Sequence, residues 1–129
     1  VMVAPVSMYR EVFYARPRVF GMLGADFRLA IPAFNTFQGL AFSVAVLRED
    51  SIGWVGSCKA ERIRELANQS GMVFLGEVVV PRAADATQLH PAIAQLKTLN
   101  ADLTLACVYD GVCQRLVRGI EEDRFNPRM

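Results

Sequence analysis

The chain has 129 residues, enough for one domain with a single hydrophobic core. Its formal net charge of +1 and the lack of a lysine- and arginine-rich run give no electrostatic basis for nucleic-acid binding. The hydrophobic content of 53% exceeds that of an average soluble protein, which favours a tightly buried sheet or a surface that meets another domain.

The amino-terminal residues show no basic region followed by an apolar run and a cleavage site, so no signal peptide is predicted. Because the chain begins at Val1 without an initiator Met, we expect a fragment or a processed piece of a longer protein. Residues 29–47 carry no charge and approach the length of a membrane span. Pro32, Asn35 and Gln38 interrupt that stretch, which favours a helix followed by a buried strand.

The first elements in chain order are short. Residues 1–4 form an apolar, strand-like run, and residues 18–23 are typical of a second short strand. The first helix is predicted over residues 29–38, with Pro32 tolerated in its opening turn and Gly39 ending it.

The middle of the chain alternates between strand and helix. Residues 42–47 are an apolar, valine-rich strand of the kind that is buried on both faces. A polar, glycine-bearing loop is predicted over residues 48–56. Residues 57–70 form an amphipathic helix that Gly71 ends, and residues 72–80 are the next strand.

The last part repeats that alternation. The third helix is predicted to start near His90, because Pro91 suits a first helical position. Residues 103–108 form a third strand, and Asp110 is predicted to cap the final helix. Alternating strands and helices predict a three-layer, Rossmann-like α/β fold with a parallel sheet, in which the strand at residues 42–47 lies between the other two.

The three cysteines, Cys58, Cys107 and Cys113, lack the close spacing of a zinc ribbon. We expect buried or half-buried free thiols; the alternative is a single disulfide, and Cys58 with Cys113 is the pair to test in a secreted protein. The sequence shows no dinucleotide glycine fingerprint, no phosphate-binding lysine loop and no paired nucleophile and base. We therefore predict no metal, no cofactor and no enzymatic activity, and we expect His90 to be a structural residue.

Several ordered segments resemble the type I periplasmic binding protein fold, the family of branched-chain amino-acid binding proteins and of natriuretic-peptide-type and glutamate-type receptor ligand-binding regions. The segments are GMVFLGEVVVP at residues 71–81, TQLHPAIAQLK at 87–97, NADLTLA at 100–106, VMVAPVS at 1–7, RPRVFGM at 16–22 and VAVLREDS at 44–51.

The resemblance implies a two-lobed protein that closes on a ligand, with this chain supplying most of one lobe. Residues 1–23 would be the crossover or hinge segment, residues 24–122 the ligand-binding lobe and residues 123–129 a tail. The ligand would be a small polar solute such as an amino acid, bound for transport or signal sensing. The implied partners are the second lobe of the same parent chain and a membrane transporter or a receptor dimer partner. The implied location is outside the cell or in the periplasm, and the parent chain could be the ectodomain of a membrane receptor.

The candidate ligand-binding residues are Ser7, Asp50, Ser51, Trp54, Tyr109 and Asp110. Tyr109 resembles a position that faces the cleft, and Ser7 matches a loop that binds ligand carboxylates. Each has a structural alternative: a turn for Ser7, loop solvation for Asp50 and Ser51, a strand-end plug for Tyr109, an interlobe or dimer contact for Trp54 and a helix cap for Asp110. Amino-acid binders often carry Tyr-Gly where this chain has Ile52-Gly53-Trp54, so the alternative function is a ligand-less dimerisation or scaffold module.

Overall fold

The computed structural model describes residues 2–4, 19–21, 30–55 and 58–125. The elements are β1 (Met2–Ala4), β2 (Val19–Gly21), α1 (Ile31–Phe37), β3 (Ser43–Glu49), α2 (Ile52–Val55), α3 (Ala60–Gln69), β4 (Val73–Val80), α4 (Ala86–Leu99), β5 (Leu103–Cys107) and α5 (Asp110–Glu122). β1 and β2 pair in parallel as a separate two-stranded sheet. Among the helices of these ranges, none has the length and apolar character to cross a membrane.

The main sheet has three parallel strands in the order β4-β3-β5. The predicted α/β fold and the central place of the valine-rich strand are therefore confirmed. In β3, every residue from Val44 to Glu49 is buried, as expected for a strand with neighbours on both edges and helices on both faces. Because the strands are parallel, their carboxyl ends share one edge of the sheet.

The core consists of two clusters on opposite faces of the sheet, because alternate residues of a strand point to opposite sides. Ala45 and Leu47 belong to the cluster that α4 and α5 cover. Val44 and Val46 belong to the cluster that α1 and α3 cover. The helices thereby exclude water from both faces of β3, and the rigid strand positions the loops at its carboxyl end.

The prediction that α4 starts near His90 is wrong. Asp85 caps the helix in a capping box: its Oδ1 accepts a hydrogen bond from the Gln88 amide at 3.0 Å, and its own amide donates to Gln88 Oε1 at 3.1 Å. Pro91 therefore lies inside the helix, and the loop after β4 is shorter than expected. His90 Nδ1 lies 3.1 Å from Asp123 Oδ2, so His90 joins α4 to the end of α5.

The Asp85 cap makes stability depend on pH. The hydrogen bond from the Thr87 hydroxyl, followed by the one from the Gln88 amide, lowers the pKa of Asp85 from its ordinary value of 3.8. A carboxyl with a lower pKa in the folded state stabilises the protein above the unfolded-state pKa, and that contribution is lost as pH falls through the folded-state value. As pH falls below 3.8, we expect the melting temperature of the wild type to decrease more than that of Asp85→Asn, whose side chain keeps a capping oxygen but does not titrate. Parallel pH profiles would contradict this.

The loop predicted over residues 48–56 is wrong in two respects. β3 continues through Arg48 to Glu49, and Ile52–Val55 forms a single helical turn. The strand extends because both side chains find polar partners: Arg48 Nε donates to Glu77 Oε1 at 2.7 Å, and the Glu49 carboxylate accepts two backbone hydrogen bonds. Polarity alone indicated a loop, whereas partners from β4 and from the loops after β4 and β5 make burial of these residues possible.

Candidate functional site

The candidate site lies at the carboxyl edge of the sheet, where the loops after β3 and β5 meet. We define the rim as residues 49–54 and 108–110. Open α/β sheets bind ligands at this edge because the backbone turns there from strand to helix. The innermost residue of the rim is a buried acid.

Glu49 ties the three strand ends together. Its side chain is 1% exposed, and its two oxygens accept hydrogen bonds from the Ala83 amide at 2.9 Å and the Tyr109 amide at 3.0 Å. One carboxylate at the end of the central strand therefore holds the loop after β4 and the loop after β5. Glu49 was not among the predicted site residues; its only signal in the sequence was its position two residues after the apolar run that ends at Leu47.

Asp50 forms the charged side of the rim, and Arg48 lies behind it. Arg48 is buried between Glu77 and the rim, and its Nη1 lies 3.5 Å from Asp50 Oδ1. The Asp50 side chain is 71% exposed, so this second ion pair contributes little to stability. The Asp50 amide donates to the Val80 carbonyl at 2.7 Å, which fixes its backbone against the end of β4. Its carboxylate thus stands at the surface, available to a polar or cationic group.

Trp54 and Tyr109 form an aromatic pair across the rim. Their ring centroids are 5.6 Å apart with planes inclined by 49°, a tilted arrangement that suits the charge distribution of aromatic rings. Tyr109 remains 45% exposed, so part of its ring is open to solvent. The two loops that the sequence placed at one edge do meet, and an aromatic contact joins them.

Gly53 makes this pairing possible. A Cβ atom at Gly53 would lie 2.1 Å from the Tyr109 hydroxyl, well inside van der Waals contact. The tyrosine therefore packs its hydroxyl directly onto the glycine backbone, a close approach that no other residue type permits.

Replacing Gly53 by alanine should displace the Tyr109 ring while leaving the fold intact, because the clashing atom is the end of a movable side chain. We expect altered near-ultraviolet circular dichroism and a shifted emission of Trp54, the sole tryptophan of the chain. Gly111→Ala is the matched control, since its Cβ would meet nothing closer than 3.9 Å. Spectra of Gly53→Ala that match those of Gly111→Ala would refute the close approach.

Two buried polar atoms of the rim have no hydrogen-bond partner within the described residues, the Ser51 hydroxyl and the Trp54 indole nitrogen. An unpaired buried polar group costs about 1–3 kcal/mol, so such groups in a folded protein call for an explanation. Both atoms belong to residues that were predicted to bind ligand. They are candidates for hydrogen bonds to the polar atoms of a solute.

A disulfide lies beneath the aromatic pair and corrects the cysteine predictions. Cys58 and Cys107 are bonded, with Cα atoms 6.3 Å apart, whereas Cys113 is a free, exposed thiol. The expectation of free thiols is wrong for Cys58 and Cys107 and holds only for Cys113, which is exposed; the alternative of a single disulfide is confirmed, but its expected pairing of Cys58 with Cys113 is wrong. Cys58 and Cys107 share the core cluster under α1 and α3, whereas α5 packs on the opposite face of the sheet and exposes Cys113 to solvent.

The remaining candidates differ in how the structure places them. Asp110 does not cap α5: Tyr109 occupies that position, and Asp110 Oδ2 accepts a hydrogen bond from Gln114 Nε2 at 3.3 Å within the first turns. Asp110 is exposed beside Tyr109, so it remains at the rim. Ser7 lies outside the described residues. Across residues 30–55 and 58–125, no three His, Cys, Asp or Glu side chains are grouped to hold a metal ion.

Comparison with known proteins supports this fold. No protein-family model matches the sequence, and the curated proteins give no significant match. Among solved structures, the chain is similar to the solute-binding protein of an ABC transporter from R. palustris, in complex with 4-hydroxybenzoate, with a TM-score of 0.68 and 16% identity. The fold matches that of a solute-binding protein lobe. The similarity covers 83% of this chain and 28% of that protein, so this chain spans less than a third of that protein's length.

Proposed function

We propose that this chain is a ligand-binding lobe of a type I periplasmic binding protein, and that its rim contacts a small solute held between it and a second lobe of the same parent chain. The observation that carries the proposal is the meeting of Trp54 and Tyr109 at the carboxyl edge, with a half-open phenol ring and an indole nitrogen that lacks a partner within the described residues. A ligand-binding role without catalysis is consistent with the solute-binding fold and with the composition of the rim.

The rim favours a solute that offers a flat or apolar face together with polar groups. The exposed face of Tyr109 suits stacking, whereas the Asp50 and Asp110 carboxylates suit an ammonium group. The similar protein from R. palustris holds 4-hydroxybenzoate, a small aromatic acid. Amino acids, aromatic ones in particular, and small aromatic acids are therefore the solutes to test.

Binding would act through hinge closure. A solute that contacts both lobes stabilises the closed state over the open one, and the difference in contact energy drives the equilibrium. A membrane transporter or the rest of a receptor would then recognise the closed form, in the periplasm or outside the cell. The disulfide of this lobe is in keeping with such an oxidising compartment.

The test is a calorimetric titration of the parent protein, which contains both lobes, with amino acids and small aromatic acids. Tyr109→Ala should weaken the binding of any true ligand by about tenfold, since an aromatic contact and its buried area are lost. Val117→Ala is the control, because Val117 is 50% exposed on α5 away from the rim. Binding that Tyr109→Ala leaves unchanged, or no binding by any of these solutes, would contradict the proposal.

A second candidate function, a dimerisation or scaffold module, is favoured by an apolar patch at the opposite edge of the sheet. Leu40, Phe42 and Val73 are 65%, 72% and 60% exposed, and the Val73 amide donates to the Phe42 carbonyl, so the last two are neighbours. Exposed apolar side chains that lie together often mark an interface. Sedimentation that shows concentration-dependent dimers, abolished by Phe42→Ser, would support this function, and a monomer at all concentrations would argue against it.

A further inference from the structure

The Cys58–Cys107 disulfide joins the two loops that carry the aromatic pair of the rim. Cys107 ends β5 two residues before Tyr109, and the Cys58 amide donates a hydrogen bond to the Trp54 carbonyl at 3.0 Å. The bridge thus connects the base of one loop to the base of the other. Both cysteines are buried, at 2% and 7% exposure, so the bridge is part of the core and not a surface staple.

Among the described residues, the Trp54 loop has only short secondary structure of its own. α2 is a single turn of four residues, too short to be stable by itself. A cavity of about 240 Å³ lies against the bridge, and Ala33, Leu105 and Ala106 line it together with Trp54 and the two cysteines. One side of the indole therefore borders this space, whereas the rest of the ring packs against Tyr109 and against the core cluster under α1 and α3. The disulfide is a covalent restraint near this end of α2. Glu49 restrains the Tyr109 loop by accepting a hydrogen bond from the Tyr109 amide.

We propose that the disulfide is a positioning group for solute binding, so that the affinity of the rim for its solute depends on the oxidised state of Cys58 and Cys107. This inference rests on the proposed function. With the bridge intact, Trp54 stays against Tyr109 and the binding surface is preorganised. Without it, α2 samples several orientations, and only a fraction of the molecules can bind the solute. The apparent dissociation constant then equals the intrinsic one divided by that fraction, so binding is weaker.

The first test needs no ligand. In Cys58→Ala/Cys107→Ala, acrylamide should quench Trp54 fluorescence more strongly, and amide hydrogen exchange at Trp54 and at position 58 should accelerate by more than tenfold. Leu96→Ala is the control for general destabilisation, because Leu96 is buried on the opposite face of the sheet. Each variant is measured at the same number of degrees below its own melting temperature, which separates local loosening of the Trp54 loop from general destabilisation. Equal quenching and equal local exchange in the two variants would overturn the positioning role.

Reduction of the folded wild type provides a second route if the double variant does not fold. A water-soluble phosphine cleaves the S–S bond to two thiols and is itself oxidised to the phosphine oxide, taking its oxygen from water. The same gains in quenching and exchange should appear, and Cys113→Ser should respond like the wild type because its disulfide is intact. A reduced protein whose Trp54 loop exchanges as slowly as before would also overturn the proposal.

The third test uses a solute whose binding Tyr109→Ala weakens. Loss of the disulfide should weaken its binding by roughly tenfold, with little change for Leu96→Ala. Unchanged affinity without the bridge would refute the positioning role while leaving solute binding intact. If none of the solutes binds, the proposed function fails, and the ligand-free measurements still decide whether the disulfide positions the loop.

Discussion

Replacing Glu49 by alanine is expected to lower the free energy of unfolding by about 3–5 kcal/mol, which is exceptional for a single substitution. The loss has two sources. The Ala83 and Tyr109 amides lose a charged acceptor, and a hydrogen bond to a charged group contributes about 1.5–3 kcal/mol. The vacated space adds a cavity term, because a side chain that is 1% exposed leaves room that the surrounding core fills only in part.

Urea denaturation followed by circular dichroism measures this effect. Glu49→Gln should lose less, because its amide oxygen still accepts one of the two hydrogen bonds and a neutral group is cheaper to bury. Glu121→Ala, an exposed acid on α5, is the matched control and should change stability by less than about 0.5 kcal/mol. If Glu49→Ala proved as stable as Glu121→Ala, the carboxylate would not hold the two loops.

Removing the disulfide is expected to cost about 4 kcal/mol in the free energy of unfolding. The bridged cysteines are 49 residues apart in sequence, and loss of the cross-link restores the entropy of a loop of that length to the unfolded chain. For a domain of this size, the melting temperature should fall by roughly 10–15 °C. Differential scanning calorimetry of Cys58→Ala/Cys107→Ala measures the change.

Cys113→Ala is the control, and it should melt within about 2 °C of the wild type because Cys113 is exposed and unbridged. Peptide mapping of the non-reduced protein identifies the bonded pair directly. Recovery of a peptide that links Cys58 to Cys113, or a melting temperature that does not respond to loss of Cys58 and Cys107, would show that the bridge described here does not form.

The fold could be predicted from the sequence because its signals are local. The apolar run of β3 and the amphipathic pattern of α3 each specify an element without reference to the rest of the chain. The strand order β4-β3-β5 then follows from parallel pairing and the continuous burial of the central strand. The start of α4 was missed although its signal is also local, since Asp85 and Gln88 form a capping box that precedes the more conspicuous Pro91.

The chemistry of the site was harder to predict because it depends on distant partners. Glu49 is buried only because amides 34 and 60 residues away supply its hydrogen bonds. The choice of Cys107 over Cys113 depends on which face of the sheet each residue reaches, and sequence spacing does not specify this. The meeting of Trp54 and Tyr109 could be predicted from the sequence, since parallel strands bring successive strand-end loops to one edge of the sheet. Their ligand-binding role remains a proposal.

Chemical-shift mapping by NMR tests the proposed binding rim most directly. A titration of the labelled parent protein, which contains both lobes, with aromatic amino acids and 4-hydroxybenzoate should perturb the backbone amides of residues 50–54 and 109–110, because these residues form the rim. Perturbations confined to the Leu40, Phe42 and Val73 edge, or spectra that no solute changes, would contradict solute binding at the rim.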